Sequence, residues 1–389
     1  MRLPARKTTD WYGWTDESGN SGLNIFDPEQ PMFWSGTLLS PDNLDLTTSS
    51  HAEWLRLVGA EELHGQDLSF AKLNIIADSI RTYLRKHNCR FVFTRIDKSY
   101  HAITTFVTMV FDSDVNPAVE ALHDHVPLFR KELAKDLVGI FLLVDRRRFW
   151  TAYLKKDLAT FSDLLLDLEQ RASALCLDAR SAKVLCQGMA WARLHPDRII
   201  GDRDINQDSP NARALLLLVD GVHRVAGTNA RVVSFSHDQQ PEFEQMFQQD
   251  FELIKNALGA LGSQYAWQQA NPVRLFHCPL RIVSSMKSVG LQLIDVLLRL
   301  MSRHLNGNYI PREDPSGNLL QFIRGQPNAI INQILFNSDK EFSFGEFEHL
   351  AHKSSLFTPG LPSFESMIKT ARKTIAYRAI EDLLIQRPK

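Results

Sequence analysis

The segment from Ser288 to Arg303 restricts the possible folds of this chain more than any other feature. Its pattern predicts a helix that is apolar on almost every side, with Gln292 and Asp295 as the exceptions. A helix of this kind has to be covered by other elements on most of its surface. An ionised carboxylate in such a place is costly unless cations or hydrogen-bond donors compensate for its burial, so Asp295 is a candidate functional residue.

Two explanations fit a carboxylate at this position. In the first, Asp295 forms a structural ion pair with an arginine such as Arg281 or Arg299. In the second, Asp295 belongs to a group of acids that binds a metal ion. The second explanation requires more carboxylates at places that the fold can bring together.

Three further acids stand at the ends of predicted elements. Asp16 ends an aromatic strand, Asp238 follows the strand Arg231–Ser236, and Glu62 precedes an amphipathic helix. An acid at a strand end also commonly caps a turn. If the strand ends meet the helix that carries Asp295, however, four carboxylates come together. Oxygen ligands suit Mg²⁺ or Mn²⁺, and a pair of such ions promotes phosphodiester hydrolysis.

The chain is long enough for two or three compact units, with 389 residues of which 44% are hydrophobic. Strand patterns occupy the first hundred residues. The stretch from about residue 101 to 211 is mostly helical in pattern, and strand and helix patterns return up to residue 305. The remaining residues, 306–389, are predicted to form a helical extension. The sequence therefore predicts an α/β core, at residues 1–305, interrupted by a helical insertion.

Charge and cysteine content limit the function classes. The net charge of -1 means that nucleic-acid binding would need a local basic patch and not a global basic field. The four cysteines are widely spaced, which favours a reduced, cytoplasmic protein. We expect no membrane partner, because no window has the roughly 18 uncharged apolar residues of a spanning helix and the first residues lack a signal sequence.

A basic and aromatic run, Arg146 to Trp150, offers one candidate for a nucleic-acid surface. Three arginines are followed there by Phe149 and Trp150, and charge combined with stacking surface is typical of single-strand binders. An ordinary amphipathic helix has the same pattern. Both explanations stay open at this point.

Four short motifs occur in a fixed order along the chain. They are D-E-S-G at Asp16–Gly19, E-L-H-G at Glu62–Gly65, H-D-Q-Q-P-E-F from His237, and S-S-M-K-S-V-G-L-Q-L-I-D ending at Asp295. This set resembles the bacterial family catalogued as domain of unknown function 3800. The chain departs from the family pattern at Ile294, where alanine is usual, and at H-D-Q-Q, where D-E-Q-S is more common.

The resemblance implies a ribonuclease H-like fold, with a mixed sheet flanked by helices. Together with the four carboxylates, it predicts a nuclease that acts on DNA or RNA. The implied ligands of Mg²⁺ or Mn²⁺ are Asp16, Glu62, Asp238 and Asp295, with His64 and Lys287 as accessory residues. A role in phage defence or in a mobile element is the expected context. The alternative is a module of the same fold that binds nucleic acid or a partner without catalysis.

Overall fold

A single mixed sheet organises the protein. The computed structural model describes residues 8–343 except 20–21, 126, 176–178, 228, 242, 262–274, 307–309, 327–328 and 337–341. The strand order is β5-β4-β1-β2-β3-β6-β7. β2 is antiparallel to β1 and β3, whereas β4 is parallel to β1, β5 to β4 and β6 to β3. The strands are β1 (Thr9–Ser18), β2 (Met32–Ser40), β3 (Arg90–Asp97), β4 (Ala230–Asp238), β5 (Leu280–Val283), β6 (Ile330–Phe336) and β7 (Phe342–Ser343).

Helices cover both faces of the sheet, which confirms the predicted α/β class. They are α1 (Thr48–Val58), α2 (Phe70–Lys86), α3 (Lys98–Val110), α4 (Ala121–His125), α5 (Pro127–Ile140), α6 (Leu143–Lys155), α7 (Leu158–Leu175), α8 (Ala179–Leu194), α9 (Pro196–Ile200), α10 (Pro210–Ala226), α11 (Glu244–Leu261), α12 (Val289–Leu305) and α13 (Pro315–Arg324). One hydrophobic cluster lies between the sheet and α1, α2 and α12, and another lies under α10 and α11. In the described ranges, no helix is both long enough and apolar enough to cross a membrane.

Helix α12 is the predicted apolar helix, and it packs directly on the sheet. A Cβ atom on Gly290 would lie 2.2 Å from the Trp14 ring, and one on Gly36 would lie 3.1 Å from Ile294. Glycine at both positions therefore lets the helix backbone approach β1 and β2 closely. This contact buries most of α12, as its sequence requires.

An irregularity in the pairing of β1 with β4 decides which side chains share a face. Trp11 pairs with Val232 but Tyr12 pairs with Ser234, so Val233 is an extra residue on β4. The register then continues to Thr15 and His237. Because side chains alternate between faces, a shift of one residue exchanges the faces of everything that follows it. Asp238, and not His237, consequently lies beside Asp16.

Helices α3 to α9 occupy the predicted insertion, and they share a hydrophobic cluster with Phe33, Ile96 and Ile334 of the sheet. The nucleic-acid surface proposed at Arg146–Trp150 is wrong, because Phe149 and Trp150 are buried in that cluster. Arg146 donates hydrogen bonds to the Phe141 carbonyl and to the Ser99 hydroxyl. The aromatic rings are therefore core residues and do not offer stacking faces.

The C-terminal extension is not wholly helical, which corrects the prediction for residues 306–389. α13 is followed by β6, which pairs with β3 and extends the sheet, and by β7. The β6 sequence, I-I-N-Q-I-L-F, is rich in residues that favour strands, and it covers the otherwise open edge of β3. A helix predicted at Ser363–Gln386 lies outside the described residues.

Buried His101 in α3 should make the protein sensitive to acid. Burial lowers its pKa from 6.5 to about 4. Nε2 donates to the Asp208 carbonyl at 2.8 Å, and buried Nδ1 has no hydrogen-bond partner, so a second proton would find no acceptor. The pKa of His101 is lower in the folded protein than in the unfolded chain. The contribution of neutral His101 to the free energy of unfolding is therefore complete above pH 6.5 and is lost as the pH falls toward 4.

We expect urea unfolding to show that the free energy of unfolding falls by up to about 3 kcal/mol over that pH range because of His101. The His101→Gln variant cannot be protonated and should lose less stability than the wild type between the same pH values. An identical pH dependence in the two proteins would contradict this assignment.

Candidate carboxylate site

Asp16 and Asp238 stand at the ends of two neighbouring parallel strands. Asp16 is near the end of β1 and Asp238 is the last residue of β4. The register places them one position beyond the pair formed by Thr15 and His237. Adjacent strands are about 4.8 Å apart, so the two carboxylates project side by side from the same face. The strand ends therefore meet as the sequence predicts.

Asp295 reaches the same region from α12. Its Oδ2 accepts a hydrogen bond of 2.7 Å from the Gly65 backbone, and His64 Nε2 lies 3.8 Å from the same oxygen. Among the residues that the structure describes, no lysine or arginine forms an ion pair with Asp295. The explanation of Asp295 as an ion pair with Arg281 or Arg299 is therefore wrong.

The carboxylates act on one another electrostatically. The pKa of Asp16 is raised well above its usual value by burial and then by the charges of Glu17, Asp295 and Asp238. Burial also raises the pKa of Asp238 and of Asp295. In the described part of the chain, none of these three aspartates has a lysine or arginine as an ion-pair partner. The site is thus a buried concentration of negative charge, in which His64 lowers the pKa of Asp295 and His237 lowers that of Asp238.

Glu62 belongs to this region but lies on the Asp295 side of it. Its charge raises the pKa of Asp295. Its Oε1 atom is buried and has no hydrogen-bond partner among the described residues. We call Asp16, Glu62, Asp238 and Asp295 the carboxylate cluster.

The two predicted accessory residues lie at the surface of the cluster. The side chain of His64 is 46% exposed and lies between Asp295 and Asp67, whose carboxylate is 3.3 Å away. Lys287 is exposed, on the short 3₁₀ turn before α12. The same turn is tied to the cluster, because the Ser285 backbone donates to Asp238 Oδ1 at 2.8 Å.

Gln292 connects three segments around the cluster, a role that sequence reasoning missed. Its Oε1 atom accepts from the Leu63 backbone at 2.9 Å and from His51 Nε2 at 2.7 Å, and its Nε2 donates to the Ser285 carbonyl at 2.9 Å. Leu63 follows Glu62, and Ser285 is bound to Asp238. One buried amide therefore holds both loops against α12. The available signal was a lone polar residue in an otherwise apolar helix.

Asp45 is a second residue that the sequence did not reveal. It accepts hydrogen bonds from Trp14 Nε1 at 3.0 Å, from the Ser288 hydroxyl at 2.9 Å and from the Gly290 backbone at 3.1 Å. A carboxylate at the first turn of α12 also interacts favourably with the helix dipole. Asp45 thereby positions the start of the helix that carries Asp295.

Glu17 faces away from the carboxylate cluster, on the opposite face of the sheet. Its carboxylate is 3.0 Å from His237 Nε2, and both side chains are almost fully buried between the sheet and α10 and α11. His237 Nδ1 lies 2.8 Å from the Asp238 carbonyl, which can only accept a hydrogen bond. Nδ1 is therefore the donor to that carbonyl, and Nε2 faces the Glu17 carboxylate as its ion-pair partner.

The chemistry of the cluster suits a hard divalent cation. Four carboxylates supply oxygen ligands of the kind that Mg²⁺ and Mn²⁺ prefer, and the buried Oε1 of Glu62 lacks any partner. The side chains are not already drawn together, because within the described ranges no three His, Cys, Asp or Glu residues form a group that could hold a metal ion. Cation binding would therefore require the side chains to close in.

Comparisons of the chain with protein-family models, with curated proteins and with solved structures find no match. The resemblance described under Sequence analysis consequently stays a prediction.

Proposed function

We propose that this protein is a Mg²⁺- or Mn²⁺-dependent nuclease that hydrolyses phosphodiester bonds of DNA or RNA. The observation that carries the proposal is the proximity of three buried acids: the charges of Asp295 and Asp238 raise the pKa of Asp16, and the charge of Asp238 raises that of Asp295, while in the described residues none of the three has a lysine or arginine ion-pair partner. Keeping such charges together is costly for a structural purpose alone. Active sites are where this cost commonly occurs.

The ligands would be Asp16, Glu62, Asp238 and Asp295. A pair of bound cations supplies an activated water and stabilises the leaving oxygen in hydrolysis of this type. His64, half-exposed beside Asp295, is placed to exchange a proton with solvent. Lys287, exposed on the turn fixed by Asp238 and Gln292, is placed to attract a phosphate.

A ribonuclease H-like core is part of the proposal. The order β5-β4-β1-β2-β3, with β2 the antiparallel strand, supports it, as does the position of Asp16 on the central β1. The four motifs that resemble the family of unknown function 3800 support it independently. The expected role in phage defence or in a mobile element depends on that resemblance alone.

The test is cleavage of labelled single- and double-stranded DNA and RNA by the purified protein in Mg²⁺, Mn²⁺ or EDTA. We expect cleavage that depends on the metal and is lost in Asp16→Ala and in Asp295→Ala. Asp78→Ala is the matched control, because Asp78 is an acid on α2 whose side chain is 54% exposed. Absence of metal-dependent cleavage in the wild type, or full activity in both site variants, would contradict the proposal.

A non-catalytic binding module is the second candidate. It is favoured by one observation, that no three candidate ligands in the described residues already form a metal-binding group. This function predicts binding of nucleic acid without cleavage, unchanged in Asp16→Ala and Asp295→Ala. The same assay therefore separates the two candidates.

A further inference from the structure

A groove runs along α12 immediately beside the carboxylate cluster. It is a shallow depression, open to solvent, between α12 and the segment that follows Glu62, and its walls include Gly65, Leu68, Phe70, Arg299 and Arg303. We call it the α12 groove. Neither the motifs nor the proposed metal ligands account for it.

The groove begins at the proposed reaction centre. The Gly65 backbone donates to Asp295 Oδ2, and a Cβ on Gly65 would lie 2.9 Å from Asp295 Oδ1 and 3.0 Å from Arg299 Cβ. Gly65 therefore separates Asp295 from Arg299 with no side chain of its own. Asp295 and the groove therefore adjoin each other on either side of the Gly65 backbone.

The groove carries two positive charges that no acid among the described residues neutralises. Arg299 and Arg303 follow Asp295 at intervals of four residues, so all three lie on one side of α12. Within the described ranges neither guanidinium has an ion-pair partner, and Arg299 Nε is buried without a hydrogen-bond acceptor. Burial, followed by the charge of Arg299, lowers the pKa of Arg303. Two like charges one turn apart repel each other, and an anion between them would remove that repulsion.

The positions of the two arginines in the groove suit phosphate groups that follow one another along a strand. The Arg303 guanidinium lies 4.8 Å from the centre of the Phe70 ring, and stacking of this kind orients the guanidinium plane while its N–H edge stays available. Planar guanidinium groups bind phosphate oxygens in pairs. Four residues of helix correspond to about 6 Å, so Asp295, Arg299 and Arg303 are spaced like successive phosphates of an extended strand.

We propose that Arg299 and Arg303 bind two backbone phosphates of a nucleic-acid strand, next to the phosphate that lies at the carboxylate cluster. The substrate is then a polymer and not a small phosphate ester. The position of the cleaved bond relative to these phosphates rests on the proposed nuclease function. Binding of the strand can be measured even if the protein cleaves nothing.

The test is fluorescence anisotropy of fluorescein-labelled single-stranded DNA and RNA oligonucleotides, titrated with the full-length protein in EDTA at several salt concentrations. We expect Arg299→Gln and Arg303→Gln each to lower the affinity several-fold. Each should also reduce the slope of log affinity against log salt by about 0.7, the value for one phosphate contact on a single strand. The oligonucleotide whose affinity falls more in these variants shows whether the protein prefers DNA or RNA.

Two further variants keep the test decisive. Arg198→Gln is the matched control, since Arg198 lies 5.8 Å from the Trp191 ring in the distant helical insertion and loses the same charge. Arg299→Lys retains the charge and should retain most of the salt slope, which excludes misfolding as the cause. Wild-type affinity in both glutamine variants, an equal loss in Arg198→Gln, or no oligonucleotide binding by the wild type would overturn the proposal. Binding without metal-dependent cleavage would instead overturn only the nuclease function.

Discussion

Asp16→Asn is expected to abolish cleavage while making the metal-free protein more stable. The loss of activity should be on the order of a thousandfold, comparable with removal of a principal electrostatic contact in other active sites. Stability should rise because the substitution removes a buried charge that is repelled by Glu17, Asp295 and Asp238. Asparagine keeps an oxygen that can accept the 2.8 Å hydrogen bond from the Glu17 backbone. Functional sites often carry such a cost in stability.

Thermal unfolding in EDTA measures the second half of this prediction. A gain of about 1 kcal/mol corresponds to a rise in Tm of roughly 2 °C in a chain of this size. Mg²⁺ should raise the Tm of the wild type by mass action and should have a much smaller effect on Asp16→Asn. Asp78→Asn removes one negative charge at an exposed position and should change neither the Tm in EDTA nor its rise with Mg²⁺. A lower Tm in Asp16→Asn would show that the aspartate is structural.

Gln292→Leu is expected to destabilise the protein by about 3 kcal/mol or more. Leucine has a similar size but leaves the Leu63 amide and the Ser285 carbonyl without their partner, and each buried unsatisfied group costs about 1 to 3 kcal/mol. At a temperature at which the variant is folded, its cleavage rate should be about 10 to 100 times lower than that of the wild type. The reason is that the loops next to Glu62 and Asp238 lose their common support.

Urea unfolding and cleavage rates measured on the same preparations test this role. Gln292→Glu keeps an acceptor for the Leu63 amide and loses only the donor to Ser285, so its stability should be intermediate. Equal stability in Gln292→Leu and the wild type would exclude Gln292 as the connection between the two loops.

Three acids of the carboxylate cluster could be recognised in the sequence because each breaks a local pattern. Asp295 interrupts an apolar helix, and Asp16 and Asp238 end strands where packing does not require an acid. Local pattern also predicted α12 itself, since only a covered helix can be apolar on nearly every side. The edge strand β6 was missed, because a short apolar run near the end of a chain does not reveal which strand it will pair with.

Taken alone, the sequence determined the α/β class, the helical insertion and the order of four acids along the chain, because periodicity and element ends are local properties. Only the tertiary structure decided which side chains meet. The extra residue Val233 places Asp238 beside Asp16 and leaves His237 to pair with Glu17 on the opposite face. Gln292 likewise meets Leu63 from 229 positions away. Such contacts depend on strand register and on helix placement across the sheet, which are set by packing between distant segments.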